Sequence, residues 1–270
     1  LALGINEALG LWDRQPDRIS GWWPPVVAGS VLVGVLGARL TMLRRRIGFG
    51  SVAWALVTIL GIVLTGTRGG WLAMGVMLIA FGGVWLVSSA VPRRAREMAG
   101  LTLVVALIAG AAALATSERA ERGATEVRAA IAEADYDSDT GARLLMWRQA
   151  WRALAEHPIA GVGTGGFEAW AEADAQRLDP VPPMWRIHAH AHGVVPHVAA
   201  THGLIGLAVF GLLALVGIVG GRDAHSSTGS WVVAGLLLAG TFESIVASSA
   251  VSAHWWFVLA ICPLWRPGEG

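Results

Sequence analysis

The chain has 270 residues, 54% of them apolar and only 14% charged, with a formal net charge of +1. Soluble domains carry about 25% charged residues, so the balance excludes an ordinary water-soluble domain. A single cysteine, Cys262, excludes an internal disulfide framework.

Runs of about 18 or more uncharged residues are long enough to cross a bilayer core, and several are visible. The first predicted span covers Pro25 to Met42, the second Gly50 to Thr65, the third Gly69 to Ser89 and the fourth Gly100 to Ser117. A polar stretch intervenes before a fifth from Val194 to Gly220 and a sixth from Ser230 to Ala247; a short last one runs from Ala253 to Trp265. The expected architecture is all-α: a polytopic helical membrane protein of six to seven spans with one large, partly helical loop. Its parts are a membrane region over 1–117, the loop over 118–192 and a C-terminal membrane region over 193–270. The chain begins at Leu1 with neither methionine nor signal peptide, so further spans ahead of it are expected.

Arginine, which supplies all twenty basic residues, orients the spans. Arg44 to Arg46, Arg93, Arg94, Arg96, Arg222 and Arg266 fall on one side if each segment crosses once. By the positive-inside rule that side is cytoplasmic. The other side receives Arg68 and the stretch from Glu118 to His192, where eight arginines stand against twelve acids, a net of −4. Trp22, Trp23, Trp71, Trp231 and Trp265 lie near span ends, as interfacial anchors do.

Within the loop, Glu118 to Ala134 reads as a polar helix and "DYDSDT" (Asp135 to Thr140) as a turn with several possible N-caps. A second helix follows, "ARLLMWRQAWRALAEHP", ending at Pro158. Leu144, Trp147, Trp151 and Leu154 give it an apolar stripe at helical spacing, with Arg143 on the stripe's edge. The glycine-rich "GVGTGGF" (Gly161 to Phe167) is either a flexible turn, the favoured reading, or a backbone cradle for phosphate.

Five of the eight histidines crowd into the fifteen positions from His188 to His202, at the mouth of the fifth span. Alternation of His188, His190 and His192 can put three imidazoles on one face of an extended segment. That would suit zinc, but no HExxH pattern, cysteine pair or adjacent carboxylate accompanies them, and the favoured reading has no metal. Arg68, a lone charge between two closely joined spans, either faces a functional cavity or snorkels at the interface. Glu243 and His254, in or beside the last spans, are further functional candidates by the same argument.

Three segments carry a resemblance. "TGTRGGWLAM" (Thr65 to Met74) sits at a helix junction, "RLLMWRQAWRALAEHPIAGVGTGGF" (Arg143 to Phe167) fills the loop, and "HAHGVVPHVAATHGLIGL" (His190 to Leu207) leads into the next span. In this order, over roughly Val52 to Leu207, they resemble the O-antigen ligase family, which includes Wzy-type polymerases and protein O-oligosaccharyltransferases. In that family an Arg-Gly pair follows a span, a large periplasmic loop carries an R…W…hP…GvG…F pattern, and a His-Ala-His-Asn element precedes Gly-Leu-x-Gly-Leu. The chain departs from the pattern at Gly193, where the family has Asn, Ser or Gln, and at Thr201, where an acid is common.

The resemblance implies an enzyme of the bacterial inner membrane whose active site faces the periplasm. It would move a glycan from an undecaprenyl-diphosphate carrier to a hydroxyl of a lipid A–core, glycan or protein acceptor, amid membrane lipid. No cofactor and no nucleic-acid partner are expected. His192, separated from Gly203 by ten residues, aligns with the family's essential histidine and is the expected general base; a histidine of unperturbed pKa about 6.5 is mostly neutral near pH 7. Arg68 and Arg143 are the expected diphosphate contacts, because guanidinium binds phosphate oxygens bidentately and stays charged. Arg186, His190 and Gly163 are expected substrate contacts. Competing readings are a Wzy-type polymerase, a polysaccharide or lipid transporter lacking catalysis, and a non-catalytic assembly or sensing protein.

Overall fold

The structure, a computed structural model, describes residues 25–45, 49–87, 93, 97, 118–184, 187–219 and 227–241. Among these residues there are eight helices and no strand: α1 (Pro25–Arg45), α2 (Phe49–Leu64), α3 (Arg68–Val87), α4 (Glu118–Ala132), α5 (Asp139–Glu156), α6 (Phe167–Ala175), α7 (Val194–Val219) and α8 (Ser227–Gly240). Two of them contain segments long and apolar enough to cross a membrane, Gly69–Leu86 and Val194–Ile218; Val27–Leu43, Phe49–Leu64 and Gly229–Gly240 are shorter apolar helices. The predicted spans over Gly100 to Ser117 and Ala253 to Trp265, with Glu243, His254 and Cys262, lie outside the described residues.

The chain divides into two compact units. The first comprises Leu1–Met77, Gly193–Val198 and Ile205–Gly270. Its helices approach through small residues, as membrane helices do where no hydrophobic effect drives them together. A Cβ on Gly37 of α1 would lie 2.7 Å from the Trp231 carbonyl carbon of α8, and one on Gly235 would lie 2.8 Å from the Val33 carbonyl oxygen. Val194, Val233 and Leu236 are buried together, with Val27, Val31 and Val198 against them. α2 turns Ala55, Thr58 and Ile62 inward, while Trp54, Leu56, Val57, Leu60 and Val63 stay exposed. A helix apolar on both faces suits a lipid surround.

Three residues join α2 to α3. Gly66 takes φ 63, and the flanking hydroxyls turn inward: Thr65 donates to the Ile62 carbonyl at 2.7 Å and lies 3.0 Å from Thr67 Oγ1. Glycines 29 and 70 leave room for Thr67, whose Oγ1 would stand 2.5 Å from a Cβ at either position. Arg68 then opens α3.

The second unit comprises Leu78–His192 and Ala199–Leu204. Of the possible caps before α5, Ser138 is the one used: its Oγ accepts the Gly141 N–H at 3.0 Å. Nearby, the Thr140 hydroxyl donates to the Glu126 carboxylate, joining α4 to α5. The buried face of α5 is Ala142, Leu145, Met146, Gln149, Ala150 and Ala153, not the predicted stripe. Trp151 is 47% exposed, and Leu144, Trp147 and Leu154 are half-buried. Small alanines let α6 approach, so that Phe167, Ala171 and Ala175 pack with Ala142, Met146, Ala150 and Ala153 around Ile187, Ala191 and Ala200. Polar ties fix this layer. Gln149, fully buried, donates to the Ala171 carbonyl at 2.8 Å, and Arg152 pairs at 2.8 Å with Asp174, which is 1% exposed.

Candidate functional site in the loop unit

The glycine-rich segment after α5 is a structured turn. Gly161, Gly163 and Gly165 all take positive φ (65, 90 and 77), a region open to glycine at little cost. Its backbone is hydrogen-bonded to residues 200–204: Val162 N–H donates to the Ala200 carbonyl at 2.8 Å, Gly163 N–H to Thr201 at 3.0 Å, and Leu204 N–H to Pro158 at 2.8 Å. The Gly163 amide, which a phosphate contact would use, is thus committed to Thr201.

These bonds have a counterpart in α7. The predicted fifth span is broken inside by Gly203, at φ 62 and ψ −155, a combination essentially confined to glycine. The break turns carbonyls that a continuous helix would consume toward the Gly161 turn. Contact is too close for any side chain: a Cβ on Gly203 would collide with the Ile159 carbonyl oxygen and lie 2.7 Å from that of Pro158, and one on Gly161 would lie 2.6 Å from the His202 nitrogen. Two glycines of the sequence motifs therefore mark the two sides of one backbone junction.

At the junction stands His202, an exposed residue at the end of the histidine-rich stretch. Its Nδ1 lies 2.7 Å from Thr201 Oγ1 and its Nε2 3.2 Å from Thr164 Oγ1. A neutral imidazole offers one donor and one acceptor, and each meets a hydroxyl able to play either part. Thr201 and His202 are neighbours in sequence, but nothing local signals the approach of Thr164.

Three other histidines come together, but on a bent segment rather than the extended one that alternation implies. The His190 and His192 rings are 4.5 Å apart between centroids, His188 and His192 5.1 Å, and His188 and His190 6.5 Å. Ile187 and Ala191 are buried in the α5–α6 core, which leaves His188 exposed and His190 and His192 half-buried. Among the described residues, no group of three or more His, Cys, Asp or Glu is arranged to hold a metal ion.

His192 is distinctive in its backbone. It takes φ 45, and among the described residues only Ala134 shares a positive φ without being glycine. Such residues concentrate at functional sites. Its carbonyl accepts a hydrogen bond from Trp147 Nε1 at 3.2 Å, across 45 residues of chain. Arg143, half-buried, lies four residues before Trp147 on α5, on the same side of the helix and about 6 Å along its axis. The His192 backbone is thus tied to α5, the helix that also carries Arg143, by an indole that sequence reading assigned to a packing stripe. Its N–H partner, 45 residues away, is not legible from spacing.

Arg68 belongs to the other unit, where its backbone begins α3; its side chain lies outside the described residues, as does Arg186.

The family model described as O-antigen ligase matches residues 51–211, well over half of the chain. No curated protein matches it. The matched stretch spans the Arg68 turn, helix α5, the Gly161–Gly203 junction and the histidine segment, and the chain belongs to the O-antigen ligase family.

Proposed function

We propose that this chain is a membrane glycan transferase that moves a polyprenyl-diphosphate-linked oligo- or polysaccharide onto an acceptor hydroxyl at the periplasmic face. Family membership supports a glycan-processing enzyme in a membrane. The observation that supports the finer reading is the left-handed backbone of His192, whose carbonyl accepts a hydrogen bond from Trp147 on the helix that also carries Arg143. In the proposed reaction the acceptor oxygen bonds to the anomeric carbon of the donor while the bond from that carbon to the diphosphate oxygen breaks. The hydroxyl proton passes to an imidazole nitrogen of His192, acting as general base. The departing diphosphate takes the electron pair, and guanidinium groups stabilise its charge. Arg143 is proposed for that role in the loop unit. Arg68 is a proposed diphosphate contact by the family resemblance, Arg186 a further phosphate contact by its place shortly before the histidines, and His190, whose ring lies beside His192, a proposed sugar or phosphate contact. Gly163 is proposed to act only through the shape of its turn, since its amide bonds Thr201. The proposed setting is the inner membrane, with six to seven spans and residues 118–192 facing the periplasm.

The test is complementation. The full-length gene, as wild type and as His192→Ala, is expressed in a host lacking its own ligase, and surface glycan is read as a ladder on a gel. An inserted but ladder-free alanine variant beside an active wild type is the expected outcome. An unchanged ladder would remove His192 from the base role.

A further inference from the structure

We propose that Trp147 is a positioning residue for His192, acting through its indole N–H rather than through its bulk. The inference rests on the general-base reading of His192 and deepens it.

Three observations converge. First, the backbone at His192 is left-handed, at φ 45, a conformation an L-residue keeps only when its surroundings hold it. Second, a contact holds it from outside the segment: Trp147 Nε1 donates to the His192 carbonyl at 3.2 Å. This bond restrains the peptide that follows His192, at the end of the bent segment that carries the histidines. The imidazole is carried on the same Cα, so fixing that peptide fixes the direction from which the ring leaves the chain. Third, the segment is held on its other side by Ala191, fully buried in the α5–α6 core beside Met146 and Ala150. Trp147, itself half-buried, follows buried Met146 on a helix tied to α6 by the Arg152–Asp174 pair, and presents its donor from that helix. A general base must stay within hydrogen-bond reach of the proton it takes, and small misplacements at a reacting centre cost large factors in rate.

A packing role and a positioning role make different demands. Phenylalanine preserves most of the ring and removes the N–H. Trp151, on the same helix, 47% exposed, is the control. The experiment measures glycan transfer in membranes of the complemented, ligase-deficient host, with that host's own lipid-linked polysaccharide and lipid A–core as substrates, for wild type, Trp147→Phe, Trp151→Phe, His192→Ala and Trp147→Phe/His192→Ala.

The expected result is that Trp147→Phe lowers turnover at saturating donor about tenfold or more, with KM for donor changed less than about twofold. Trp151→Phe matches wild type, and the double variant is no worse than His192→Ala alone, because the indole acts only through the histidine. Wild-type turnover in Trp147→Phe overturns the proposal, as does a raised KM with turnover unchanged, or a double variant that falls well below His192→Ala. A measurement on the wild-type chain keeps the test independent of how the variant folds: with 15N-indole-labelled tryptophan, the Trp147 Nε1–H is expected to exchange with solvent slowly, and rapid exchange overturns the proposal. The two layers separate cleanly. Full transfer by His192→Ala defeats the base assignment itself, whereas an inactive His192→Ala beside a normal Trp147→Phe defeats only the positioning role.

Discussion

Replacing Gly203 by alanine tests the junction between the glycine-rich turn and the break in α7. At φ 62 and ψ −155 a residue with a Cβ occupies a region that costs about 1–3 kcal/mol. The new Cβ also collides with the Ile159 carbonyl oxygen and lies 2.7 Å from that of Pro158. Backbone on both sides leaves no flexible side chain to give way, so the turn must retreat. Retreat breaks the 2.8 Å bond from Leu204 N–H to the Pro158 carbonyl, a loss of about 0.5–1.5 kcal/mol. Together the cost is about 2–4 kcal/mol, which at roughly 1.4 kcal/mol per factor of ten makes local opening some 30- to 1000-fold more frequent. Amide hydrogen exchange reads this directly, at Val162, Gly163 and Leu204, whose N–H groups close the junction. Gly163→Ala is the internal comparison. Its φ is +90, but a Cβ there meets nothing within 4 Å, so only the backbone term of about 1–2 kcal/mol applies. Faster exchange in Gly203→Ala, exceeding that in Gly163→Ala by about tenfold, is expected. Equal exchange in the two variants would refute the reasoning, because the close approach of backbone to backbone would then carry no energy.

Other perturbations follow from the same packing. Arg152→Ala leaves the carboxylate of Asp174, 1% exposed, without the guanidinium that meets it at 2.8 Å. Because the arginine side chain is 37% exposed the full buried-pair penalty is discounted, to about 1–3 kcal/mol; thermal unfolding of the full chain in detergent should show the drop, with partial recovery in Arg152→Ala/Asp174→Ala. In the membrane unit, Gly37→Leu drives a side chain into the Trp231 backbone and is expected to cost about 1–3 kcal/mol or more. Gly75→Leu, where a Cβ meets nothing within 4 Å, should unfold like the wild type in the same detergent assay.

Much of this protein is written in short windows of sequence. Composition alone marks the membrane class, and apolar runs place α1, α2 and α3 within a few residues, because a helix that is apolar over most of its length stands out in a short window of sequence. Turn chemistry places the start of α5 near Asp135 to Thr140, and Pro158 its end, since caps and proline act within one helical turn. What tertiary structure decides lies beyond such windows. A run from Val194 without acid or arginine conceals the break at Gly203, because glycine is common in membrane helices and only the opposing Ile159 carbonyl reveals why it is required. The buried face of α5 is its alanines rather than its tryptophans, since the neighbour is a close-packed α6 whose approach no pattern in α5 announces. Likewise the hydrogen bond from Trp147 to the His192 carbonyl joins residues 45 apart: donor and acceptor are generic groups, and their meeting is fixed by how the chain between them folds.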